Sequence, residues 1–166
     1  MFEPKPLQRD TIPRALEKAE LYRLLNEPGE AESICLDVLA ADAQNQQALV
    51  TLLLALTDQF EERMADAVQR AREVLPRLRD EYERAYYAGI VSERRGKAQL
   101  KHGSPGSRHA AYDSLREAMS WYERAEAIRP PGNDDAVLRW NACGRILQRR
   151  PDLVPAPAEP REPQLE

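Results

Sequence analysis

The chain has 166 residues, enough for one domain with a proper core and too few to expect two. Hydrophobic residues make up 42% and charged ones 31%, with only 6% aromatic, a mixture that suits a soluble helical protein rather than a compact aromatic-cored enzyme. The 24 basic and 28 acidic residues leave a net charge of -4, which argues against general attraction to nucleic acid or anionic lipid.

Residues 1–11 carry Pro4 and Pro6 and are expected to form an extended arm. No apolar run follows a basic start there, so no signal peptide is expected. Thr11 is placed to cap a helix whose first turn holds Pro13, where proline is tolerated because its missing amide hydrogen would have had no partner. Ala15, Ala19 and Tyr22 then recur at intervals of four and three, a helical face running to Leu25. Asn26 to Gly29 reads as a turn. A second helix puts Ala31, Cys35 and Val38 on one face, and Asp42 to Asn45 close the hairpin.

Thirty-three residues after Ala15 the pattern returns, with Ala48, Leu52 and Ala55 in one helix and Met64, Val68 and Ala71 in the next, closing at Pro76. The longest apolar run, Leu52 to Leu56, is far too short to span a bilayer, so cytoplasmic residence without membrane attachment is expected.

A third unit begins near Leu78, where Ala85, Ala88, Gly89 and Ser92 repeat the small-residue spacing. Residues 94–109 read as an insertion between its two helices, part of which can simply lengthen those helices, with Gly103 to Ser107 the strongest break. The segment holds Arg94, Arg95, Lys97, Lys101 and Arg108, no acid, and both histidines. Two readings stand: a contact for an anion, an acidic peptide or nucleic acid, or a loop whose charges simply face water. His102 and His109 have no third ligand in the segment, so no metal site is expected.

The most informative stretch is Ala118 to Pro130. Ala118, Tyr122 and Ala125 share one face, so two methyl-sized side chains flank one large ring and let a neighbouring helix come close. Arg129 in the last turn meets the negative end of the helix dipole, and Pro130-Pro131-Gly132 stop the helix. Asp134 or Asp135 can cap a further helix, from Ala136 to about Gln148, carrying Trp140, Cys143, Gly144 and Leu147.

These spacings resemble the tetratricopeptide repeat (TPR) family. Ala118-x3-Tyr122 with Pro130 matches the second half of its repeat signature, and Trp140-x2-Cys143-Gly144-x2-Leu147 the first half of the next unit. The resemblance covers residues 12–149, with Ala19 where the pattern has glycine, Ala43 where it has proline, and Leu52 in place of a small residue. It implies an all-α, TPR-like helical-hairpin solenoid of about three repeats (12–43, 45–76 and 78–130) plus a C-terminal capping helix, 134–149.

The resemblance further implies a concave groove that takes an extended peptide or a helix of a partner. Register carried over residue by residue places Leu16, Glu20 and Arg23 there from the first unit, and Leu49, Leu53 and Leu56 from the second. Tyr86, Ile90 and Glu93 come from the third, and Asn141 and Arg145 from the last. The alternative is that Leu49, Leu53 and Tyr86 pack within the stack. Some chaperone-binding members grip a C-terminal carboxylate with a Lys and Asn set, and that set is absent from the matching positions here.

Residues 151–166 contain five of the thirteen prolines with Asp152, Glu159, Glu162 and Glu166, and are expected to form a disordered acidic tail. Cys35 and Cys143 stand far apart with no Cys-x2-Cys partner, as expected of reduced, packed thiols in a reducing compartment. There is no Gly-rich phosphate loop, Gly-x-Ser-x-Gly or His-Glu-x-x-His, so neither catalysis nor a cofactor is expected. The expected role is a non-enzymatic protein-protein interaction scaffold. The alternatives are a self-associating structural module, or an anion or nucleic-acid contact through residues 94–109.

Overall fold

A computed structural model describes residues 1–159, and among them the chain is all-helical. Seven α-helices follow one another: α1 (Ile12–Leu24), α2 (Pro28–Ala41), α3 (Gln46–Thr57), α4 (Phe60–Val74), α5 (Glu81–His102), α6 (Ser107–Ala127) and α7 (Asp135–Arg149). Among the described residues no helix is long and apolar enough to cross a membrane.

Local chemistry sets the helix ends. Thr11 does not cap α1; its hydroxyl donates to the Gln8 carbonyl at 2.7 Å within a 3-10 turn, and α1 starts after it. Asn26 takes a left-handed conformation (φ 59°), which asparagine tolerates well, and the Glu27 amide then donates back to the Tyr22 carbonyl at 2.8 Å. The chain reverses there and α2 begins on Pro28. Asn45 Oδ1 caps α3 by accepting from the Ala48 amide at 2.9 Å, and Asp80 Oδ1 caps α5 by accepting from Glu83 at 3.1 Å. At α7 the work falls to Asn133, whose Oδ1 accepts from the Asp135 amide at 2.9 Å. Neither Asp134 nor Asp135 supplies that bond.

Each helix packs on its neighbours in the chain, and α1 also meets α3, which in turn meets α5. The most extensive interface joins α5 and α6. Its closeness has a direct cause in the small residues: Ala118, Tyr122 and Ala125 are fully buried, and the Tyr122 ring lies over Gly89. One apolar cluster is built on α1 to α4 with Leu78, Val91 and Ala98, and a second on α5 to α7 with Leu153. Leu54 and Tyr87 lie against both.

Two expectations are corrected here. Residues 94–109 are mostly helix rather than an inserted loop, because nothing between Glu81 and His102 breaks α5, and Gly96 fits a close approach to Ser114 and Leu115 of α6. Arg94, Arg95, Lys97 and Lys101 therefore stand on α5, Arg108 opens α6, and only residues 103–106 connect them. The start of the tail is also anchored. Leu153 is 4% exposed within the second cluster, and His109 Nδ1 lies 2.9 Å from the Val154 carbonyl oxygen. Residues 160–166, including Glu162 and Glu166, lie outside the described residues.

Candidate binding cleft

Residues of α1, α3, α4, α5 and α7 line one cleft of about 850 Å³. Arg23, Leu24 and Asn26 come from the end of α1, Thr57 and Asp58 from the end of α3, and Phe60, Glu61 and Glu62 from the start of α4. The long wall is α5, which contributes Tyr86, Ile90, Arg94, Lys97 and Lys101 at steps of four, four, three and four residues, a single stripe of a 3.6-residue helix. Arg139 of α7 closes the far side.

Two acidic hubs hold its cations: Asp58 lies in the lining, and Glu93 is buried behind it. Asp58 accepts from Arg23 Nε at 2.7 Å and Nη2 at 3.3 Å, and from Arg94 Nη1 at 3.3 Å, so one carboxylate joins α1, α3 and α5. Glu93 is deeper, its side chain 1% exposed. Its Oε2 accepts from the Tyr122 hydroxyl at 2.6 Å and from Arg139 Nε at 3.1 Å. Its Oε1 accepts from Lys97 Nζ at 2.7 Å and from Arg139 Nη2, so all four of its acceptor directions are used. Burial alone would push the Glu93 carboxyl up. The hydrogen bonds from Arg139, Lys97 and Tyr122 outweigh it and hold the group below the usual carboxylate range. Burial, reinforced by the Glu93 charge, drives the Tyr122 hydroxyl far above its ordinary value, so it stays a donor.

Of the groove residues inferred from register, Arg23, Tyr86 and Ile90 line this cleft. The others do not. Leu16, Leu49, Leu53 and Leu56 are core residues, Leu53 being 0% exposed, because α3 is covered by α1, α2, α4 and α5 and has no free apolar side. A helix apolar all round, as Leu52 to Leu56 make it, is a buried helix, and that signal outranks register. Glu93 is a saturated buried hub and not a free contact. Glu20 is exposed and accepts from Gln47, while Asn141 and Arg145 lie outside the lining, where Arg139 takes their place.

Three of the five basic residues assigned to an insertion, Arg94, Lys97 and Lys101, line the same cleft; Arg95 and Arg108 do not. Asp58, Glu61, Glu62, Leu24 and Arg139 were not anticipated. Asp58 sits just past the end of α3 and the glutamates in the first turn of α4, positions that no periodicity marks.

No protein-family model, no curated protein and no solved structure matches this chain.

Proposed function

We propose that the chain is a TPR-like solenoid acting as a non-enzymatic scaffold, and that it holds a segment of another protein in the cleft between α1, α3, α5 and α7. The observation that carries this reading is that the cleft draws on α1, α3, α5 and α7, with the start of α4 as its lip, an arrangement in which successive hairpins share one concave surface. Half-buried Tyr86 and exposed Leu24 offer apolar contact, and the charges beside them offer register. The test is a pull-down comparing wild type with a Leu24→Asp/Arg94→Glu double variant, both checked for helicity. The variant is expected to lose the captured partners, and an identical set of proteins on both would sink the reading.

A second reading, self-association, is favoured by one observation. The large exposed apolar side chains cluster toward the two ends of the chain: Leu21, Leu24, Leu25 and Leu36 in the first hairpin, and Ile128 and Leu138 toward the last helix. Light scattering across a concentration series decides it. A constant monomer mass excludes it.

A further inference from the structure

The geometry points to an acidic segment as the occupant of the cleft: a run of Asp and Glu side chains lying along the α5 wall. This rests on the partner-binding reading above and adds the chemistry of the partner.

Five cations from three helices, Arg23, Arg94, Lys97, Lys101 and Arg139, face one cleft in a chain whose net charge is -4. Apart from Lys101, which pairs with exposed Glu61, they pair with recessed counterions. Glu93 is saturated and buried behind Lys97 and Arg139, and the Asp58 side chain is 19% exposed beneath two guanidinium groups, whereas Arg94 is 41% and Lys101 68% exposed. An arginine carries five N–H donors and a lysine three, so each keeps donors to spare after serving these hubs. What a ligand meets from the cleft is therefore the outer side of the cations.

The row has a length as well as a sign. Arg94, Lys97 and Lys101 span seven residues of α5, about 10 Å at helical rise. An extended peptide advances about 3.3 Å per residue and turns alternate side chains to one face, so carboxylates two residues apart, about 6.6 Å, match the step of about 6 Å from Lys97 to Lys101. Tyr86 and Ile90 continue the same stripe and give an apolar side chain of the segment a place beyond the charges.

Glu61 and Glu62 on the α4 lip are the opposing exposed acids. Glu61 already sits on Lys101 at 2.6 Å, across a pair open to water on both sides. Exposed pairs of this kind are weak, so a ligand carboxylate can take the place of Glu61. The lip glutamates therefore compete with the occupant, and removing them strengthens its binding.

The experiment uses fluorescence anisotropy on the full chain at low salt. The probe is a labelled leucine and glutamate peptide of roughly ten residues with an amidated C-terminus, beside its glutamine counterpart. The acidic peptide is expected to bind at least about tenfold more tightly than the glutamine one, with added salt weakening it. Arg94→Gln/Lys101→Gln should weaken it by about tenfold, and Glu61→Gln/Glu62→Gln should tighten it several-fold. Equal binding of both peptides, lost on the Leu24→Asp/Arg94→Glu variant, would overturn the acidic assignment and leave the scaffold reading standing. Failure of both peptides to bind would overturn it too. Weaker binding by Glu61→Gln/Glu62→Gln would overturn the placement along α5.

Discussion

A Cβ placed on Gly89 would lie 2.4 Å from Cε1 and 2.7 Å from Cδ1 of the Tyr122 ring. The two helices of the third hairpin thus meet with no room for a methyl group, and the ring cannot easily step aside because its hydroxyl is fixed on Glu93. Gly89→Ala gains about 1 kcal/mol of helix propensity, but overpacking costs about 1–3 kcal/mol. Net destabilisation in urea unfolding is the expected outcome. A stabilised variant would mean that the ring moves freely.

The Glu93 hub predicts a pH dependence. Its carboxyl is depressed in the folded state, so its contribution is present above the unfolded value, near that of an ordinary glutamate, and is lost as pH falls through the folded value. Arg139 and Lys97 are partly exposed and regain water when the hub is lost, so Glu93→Gln should cost about 2–3 kcal/mol at neutral pH. Unfolding free energies measured between pH 3 and pH 7 should show this gap narrowing toward acid. A constant gap would place the effect in packing rather than charge.

Cys35 and Cys143 carry thiols that burial pushes up to about 12. Native protein should resist a thiol-specific reagent at pH 8 and react fully once unfolded. Since the unfolded thiols ionise near pH 9, each thiol stabilises the fold fully below that value, and the contribution fades as pH rises above it. Fast labelling of the native chain would show that the helices open around them.

Leu153 anchors the segment after α7. Leu153→Ala should cost about 2–4 kcal/mol, and Val154→Ala, at an exposed position, close to nothing. A chain ended after Val154 should melt near the full-length protein, and one ended after Arg150 well below it. Equal melting of the two shortened chains would show that the anchor carries no stability.

Much of the helical pattern was legible because it rests on small residues at strict intervals. Ala31, Cys35 and Val38, and Ala118, Tyr122 and Ala125, all fall on fully buried faces. The cleft was less legible, because register alone does not say how many neighbours a helix has. It assigned Leu49, Leu53 and Leu56 to a free surface, although the apolar run around them marks a helix enclosed on every side. The basic run after Glu93 reads in the sequence as an insertion with its break at Gly103 to Ser107, and it is only there, where Gly103 and Gly106 take the left-handed conformation, that the helix is interrupted. Leu153 gave no signal beyond being the first apolar residue after Pro151.

Asp58 has a wider consequence. It grips Arg23 of the first hairpin and Arg94 of the third, while α1 and α5 share no major packing interface of their own. A single carboxylate on the middle hairpin thus acts as a clasp between outer hairpins. Its removal would leave Arg23 and Arg94 without a shared anchor across the cleft.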